Sequence, residues 1–200
     1  MIASPPVILA IGDSLMAGYG LARADSFPAW LEAALQDAHP GTRVLNAGVS
    51  GATTADVLAD LPRRLSQLSV RPCLAIVQAG PNDVLRRIPA PATRRNLAAI
   101  VIELGRCGVP ALLTTVGPPA FLREQTRAYA GLHEQVAKEL GAAICPFFPT
   151  GMLGRADLVL ADRIHPNAKA IAMVVTAMLP VVERLIAEEP MGTARRSFAA

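Results

Sequence analysis

The sequence predicts a three-layer α/β/α sandwich around a five-stranded parallel sheet, a flavodoxin-like arrangement. Three observations carry this. Five short apolar runs lack polar alternation, as strands covered on both faces do. Longer segments with helical periodicity separate them. The segments between the runs are amphipathic and long enough for crossover helices, giving a repeated strand-helix alternation.

The first strand is expected at residues 7–11, ending in Gly12, and the second at 43–47. The others are expected at 74–79, 111–116 and 143–146. The first helix is expected at 26–38, with Pro28 in its opening turn and Leu31 and Leu35 on one face. Residues 54–68 follow a threonine cap, and Pro62 should bend or split that helix. Residues 93–107 place Leu97, Ile100, Val101 and Leu104 at helical spacing before Gly108. The longest helix is expected at 121–140, closed by Gly141. The last is expected at 166–187, with Pro166 in the first-turn place where a missing N–H costs nothing. Alternation of strand and helix with right-handed crossovers implies helices on both faces, and the strand order 2-1-3-4-5 is expected by analogy with other five-stranded doubly wound sheets.

Two hundred residues suit one domain, read as residues 1–190, with 191–200 as a flexible tail. The apolar stretch at 171–186 is interrupted by Thr176, Pro180, Glu183 and Arg184, so it reads as a packed helix without stable membrane insertion. The net charge of +3 is mostly arginine in scattered pairs, and aromatics make up 4% of the chain, which argues against nucleic acid as a partner. Cys73, Cys107 and Cys145 lie far apart without CxxC spacing, so free buried thiols are expected. The N-terminus shows no basic region or cleavage site, and the expectation is a cytoplasmic protein, or a periplasmic or secreted one if the chain has been trimmed. The oligomeric state has no signature.

Ligands in this architecture sit at the carboxyl ends of the strands. The first strand ends in Gly12-Asp13-Ser14-Leu15 and the second in Asn46-Ala47-Gly48-Val49-Ser50-Gly51. The third ends in Gly80-Pro81-Asn82-Asp83, and a late loop holds Asp162-Arg163-Ile164-His165-Pro166. These are the parts that acyl transfer requires. A serine hydroxyl needs a base to take its proton, and an imidazole titrates near neutral pH. Asp162, three residues before His165, can reach the other ring nitrogen and hold its tautomer. The backbone amides of Ser14 and Gly48 and the side-chain amide of Asn82 are the expected oxyanion donors. Asp13 and Asp83 lack metal-ligand spacing and are expected to hold the loops of Ser14 and Asn82. His39 and His133 lack such company. Ser50 reads as part of a backbone turn. There is no G-x-G-x-x-G and no G-x-S-x-G, which disfavours a dinucleotide fold and the α/β-hydrolase elbow.

The four blocks, in this order and spacing, resemble the SGNH, or GDSL, hydrolase family from about residue 7 to 187. The stretches IGDSLMAGYG at 11–20, NAGVSG at 46–51 and DRIHPN at 162–167 resemble its bacterial acyl-CoA thioesterase I, lysophospholipase L1 and arylesterase branch. The resemblance implies an esterase and thioesterase acting on small acyl esters or thioesters, such as aryl esters, acyl-CoA and lysophospholipids. It implies Ser14 as nucleophile, His165 as base, Asp162 as its orienter, and Ser14, Gly48 and Asn82 as the oxyanion hole, without metal or cofactor. It also implies that residues 84–89 close over the acyl chain. Pro81 and Arg163 depart from the pattern: Pro81 stiffens the Asn82 loop, and Arg163 stands where relatives often carry a small residue. Arg163 either favours an anionic leaving group or points to solvent.

Leu15, Met16, Leu85, Ile88 and Ile164 are the expected substrate contacts. They and neighbouring apolar residues, including Tyr19, Phe121, Phe147, Phe148, Met152 and Leu153, line an acyl groove or serve local packing. Arg86 and Arg87 meet a phosphate-bearing substrate or are merely solvated. Two other readings remain: a carbohydrate deacetylase or acyltransferase on the same machinery, and a non-catalytic doubly wound binding domain.

Overall fold

The computed structural model describes residues 5–118, 124 and 126–188. Five parallel strands form one sheet in the order β2-β1-β3-β4-β5. They are β1 (Val7–Gly12), β2 (Arg43–Gly48), β3 (Leu74–Gln78), β4 (Ala111–Thr115) and β5 (Ala143–Pro146). Every strand pairing is parallel, as the unbroken apolar runs predict. Side-chain alternation divides the core into two. Ile8, Ala10, Leu74, Ile76 and Leu112 face one helical layer, and Leu9, Ile11, Ala75, Val77 and Leu113 face the other.

The seven helices among the described residues are α1 (Ser14–Ala17), α2 (Phe27–Leu35), α3 (Thr54–Ser66), α4 (Pro81–Leu85), α5 (Ala90–Arg106), α6 (Leu132–Leu140) and α7 (Ala168–Glu188). The core of α1, α2 and α7 covers one face, and that of α3, α5 and α6 covers the other. The short α1 and α4 have too few residues to show a period.

Several boundaries differ from the sequence expectation. Pro62 does not split α3, which runs through it under a capping box between Thr53 and Asp56. Helix α5 begins three residues earlier than expected, because Pro91 sits in the opening turn, where its missing N–H costs nothing. Helix α6 is only the second half of the long helix expected at 121–140. Arg127–Tyr129 is a 3₁₀ turn and Gly131 has φ +74°, which stops an α-helix from continuing backwards. Residues 119–123 and 125 of that expectation lie outside the described residues, as does the 191–200 tail. Helix α7 starts two residues later than expected: Pro166 bridges to Val159, and Asn167 Oδ1 accepts the Ala170 amide at 3.0 Å as the cap.

Helix α7 has the length and apolar character of a membrane span. Its Ile171, Val174, Val175, Met178 and Val182 are nevertheless buried in the core shared with α2. The three cysteines are free and partly buried, and burial pushes the Cys145 thiol up to about 11.

Candidate active site

The ends of β1, β2 and β3 and the segment before α7 converge at one rim. Ser14 opens α1 directly after β1. Its neighbour Asp13 caps that helix, accepting the Leu15 amide at 2.9 Å, while the Asp13 amide donates to the Gln78 carbonyl of β3 at 3.1 Å. Burial pushes the Asp13 carboxyl up to about 6, against the lowering effect of hydrogen bonds from Leu15 and Gln78. Asn82 Nδ2 donates to the Ala52 carbonyl at 3.0 Å and makes a longer contact to Asp13 Oδ2 at 3.4 Å.

Asp83 is fully buried and holds three elements together. Its carboxylate accepts the Thr54 amide at 2.8 Å, the Thr54 hydroxyl at 2.5 Å and the Thr93 hydroxyl at 3.1 Å. It thus ties α4 to the starts of α3 and α5. Asp13 holds the backbone of the β1–α1 turn, and Asp83 holds the starts of α3 and α5. Among the described residues no cluster of three His, Cys, Asp or Glu could hold a metal ion. Pro81 is the first residue of α4, where the lost N–H has no helical partner to forgo.

Opposite this floor, His165 Nε2 lies 3.0 Å from Ser14 Oγ, and His165 Nδ1 lies 2.6 Å from Asp162 Oδ2. Ser14, His165 and Asp162 therefore form one hydrogen-bonded chain. The other oxygen, Asp162 Oδ1, accepts the amides of Ile164 at 2.9 Å and His165 at 3.0 Å. These amides and the imidazole hold the Asp162 carboxyl down at about 2. Tyr19 stacks on His165, with ring centroids 4.4 Å apart and planes at 38°. Arg163 adopts φ +59°, a left-handed conformation that disfavours a side chain, and it is exposed. His133 is spent on the Ala79 carbonyl at 2.8 Å, and His39 lies on the turn after α2.

The Gly48 amide is placed differently from the sequence expectation. It donates to Asn46 Oδ1 at 2.9 Å, so it is already engaged. Position 48 needs glycine for another reason: a Cβ there would lie 2.2 Å from the Ala17 nitrogen, where α1 crosses β2. The next four residues, Val49 to Ala52, form a turn closed by the Ala52 amide on the Val49 carbonyl at 3.0 Å. The amides of Ser50 and Gly51 within it make no hydrogen bond among the described residues. The Ser14 amide is likewise unbonded. The sequence signal for this turn was Gly51 at its third position, which takes φ +81°.

Of the expected substrate contacts, Leu15 and Met16 are corrected. Both are buried in the core, Met16 completely, because α1 turns its apolar side toward α2 and α7. Phe147 and Met152 belong to that core too. Leu85 and Ile164 are 72% and 74% exposed, one turn after Asn82 and one residue before His165. Ile88 is half-buried, and its carbonyl accepts the Tyr129 hydroxyl. Arg87 is exposed with φ +54°, and Arg86 donates to the Gly51 carbonyl. Phe121 lies outside the described residues.

The profile of the GDSL-like lipase/acylhydrolase family matches residues 10–172. The chain belongs to the GDSL family. That match spans all four strand-end blocks. Esterase TesA of Pseudomonas aeruginosa is 31% identical over 185 residues, covering 92% of this chain and 91% of TesA. Thioesterase 1/protease 1/lysophospholipase L1 of Escherichia coli K12 is 30% identical over 185 residues, covering 92% of this chain and 86% of the relative. The crystal structure of AlinE4, an SGNH-hydrolase family esterase, superposes with a TM-score of 0.75 at 38% identity, covering 92% of this chain and 98% of AlinE4. This GDSL chain carries its four strand-end blocks on a 2-1-3-4-5 sheet.

Proposed function

We propose that this GDSL protein hydrolyses short- to medium-chain carboxylic esters and thioesters through an acyl-Ser14 intermediate. One observation carries the reading: the unbroken chain from Ser14 Oγ to His165 Nε2 at 3.0 Å and from His165 Nδ1 to Asp162 at 2.6 Å. The activities named for its relatives, esterase and thioesterase, fit the same chemistry.

His165 Nε2 takes the Ser14 proton as Oγ bonds to the substrate carbonyl carbon. Asp162 keeps the Nδ1 proton in place and stabilises the imidazolium. The carbonyl π electrons move onto oxygen, which faces the Ser14 amide, the Asn82 side chain and an open amide of the 49–52 turn. The Asn82 hydrogen on the long 3.4 Å contact to Asp13 is the one to redirect toward that oxygen. Collapse of this intermediate breaks the carbonyl–oxygen or carbonyl–sulfur bond, and the leaving group receives the proton held by His165. Water then attacks the acyl-serine with His165 again as base, releasing the carboxylic acid and restoring the hydroxyl. Leu85 and Ile164, exposed beside the site, supply apolar surface for the acyl chain.

Fluorophosphonate labelling followed by peptide mapping tests the reading. The adduct is expected on Ser14 alone. Ser14→Ala is expected to lose the label and to lower kcat on p-nitrophenyl butyrate by roughly 10⁴-fold or more. An active, labelled Ser14→Ala protein refutes the reading.

A further inference from the structure

The turn at residues 49–52 presents the open amides of Ser50 and Gly51; Ala52 is packed in the core, but Val49 and Ser50 are exposed. A cavity of about 440 Å³ lies against it, lined by all four turn residues together with Arg63 and Arg86. Gly51, at φ +81°, has no side chain to restrict its own backbone. Where side chains face solvent, hydrogen bonds fix the shape. The Val49 amide anchors one end on the Gly12 carbonyl at 2.9 Å. Helix α4 and its C-cap residue hold the other. Asn82 Nδ2 donates to the Ala52 carbonyl at 3.0 Å, and Arg86 Nη2 donates to the adjacent Gly51 carbonyl at 2.7 Å. Residues 82 and 86 stand four apart, one above the other on the same face. Their backbones are joined by the Arg86 amide on the Asn82 carbonyl at 3.0 Å.

We infer that Arg86 is a positioning residue for acyl transfer. Its guanidinium holds the 49–52 turn at a fixed separation from Asn82, so that the turn amides and the Asn82 amide converge on one oxyanion. The inference rests on the serine-hydrolase reading above. Guanidinium suits the task because it stays charged and donates in a fixed plane. It also places positive charge beside the amides where negative charge develops. Asp56, the nearby carboxylate that feels Arg86, accepts the amide and hydroxyl of Thr53 on Oδ2 at 2.9 and 2.7 Å, while the Arg86 guanidinium bonds the Gly51 carbonyl.

The test compares Arg86→Gln, Arg86→Lys and Arg87→Asn on p-nitrophenyl butyrate, with thermal midpoints and amide exchange at Ala52 measured alongside. Arg87 carries the same charge one residue on without gripping the turn, and asparagine tolerates its positive φ. Arg86→Gln is expected to lower kcat about tenfold, with KM changed less than about twofold, since a loosened donor costs part of what a lost one does. Exchange at Ala52 should quicken while the thermal midpoint holds. Arg86→Lys should recover most of kcat, and Arg87→Asn should leave both constants unchanged. Wild-type kcat in Arg86→Gln, a rise in KM alone, or an equal loss in Arg87→Asn overturns the inference. Activity surviving in Ser14→Ala would instead remove the reading beneath it, whatever Arg86 does.

Discussion

The two sides of the active site are built in opposite ways. The floor, formed by Asp13, Asn82 and Asp83, is buried or half-buried and bonded across the sequence. Asp83 reaches Thr54 over 29 residues, Asn82 reaches Ala52 over 30, and Asn82 meets Asp13 over 69. The imidazole arm, residues 162–165, lies toward solvent and closes on itself. Asp162 bonds partners two and three residues away, and the His165 carbonyl accepts the Leu160 amide at 2.8 Å. The arm reaches Ser14, next to the floor's Asp13, through the His165 hydrogen bond, and its imidazole lies against Tyr19. In the proposed mechanism Asn82 faces the developing charge and must not move, so Asp13 and Asp83 fix its surroundings in the scaffold, whereas His165, proposed to shuttle the proton, needs only local orientation.

This contrast separates activity from stability. Asp162→Asn is expected to lower kcat by roughly 10²–10⁴-fold while shifting the thermal midpoint little, because it removes the acceptor that fixes the His165 tautomer. Steady-state kinetics and a melting curve check both halves. A large loss of stability with modest loss of rate would break the comparison.

Asp83→Ala should do the reverse. It leaves the Thr54 amide and two hydroxyls buried without their acceptor, a cost of about 3 kcal/mol in denaturant unfolding. Activity would fall only to the extent that the protein unfolds or Asn82 shifts. Full stability in this variant would show that the floor is not held as described.

The floor should also carry a pH signature. Burial lifts the Asp13 carboxyl from the ordinary 3.8 to about 6, so the folded chain binds this proton more tightly than the unfolded one. Its contribution is therefore greatest below about pH 4 and is lost as the pH rises through about 6, up to about 3 kcal/mol. Unfolding free energies of wild type and Asp13→Asn between pH 4 and 7 should diverge in that window, and parallel curves would refute the assignment. The arm shows the opposite sign. Asp162, held at about 2, contributes above the ordinary carboxylate range and loses its contribution only in strong acid.

The smallest expected effect sharpens the arm's independence. Arg163→Gly relieves a left-handed backbone at an exposed site and should raise stability by about 1 kcal/mol. Because the side chain lies in solvent, KM for an uncharged aryl ester should stay the same. A rise in KM would instead make Arg163 a substrate contact.

The sequence by itself determined the strand runs and the reach from Asp162 to His165, while the strand order was expected by analogy with other doubly wound sheets and is seen in the fold. Strand runs and the three-residue spacing are local, and short-range geometry follows from covalent connectivity. It also placed Asp13 and Asp83 as loop holders, since their neighbours left no metal spacing. Only the tertiary structure decided which amides remain open. Gly48 has the right residue type, but Asn46 takes its N–H and α1 presses on its Cα. Leu15 and Met16 have the right character for an acyl groove, but α1 turns them inward. The grip of Arg86 on Gly51 spans 35 residues. Such contacts depend on where separate elements meet in space, and no pattern along one segment encodes that meeting.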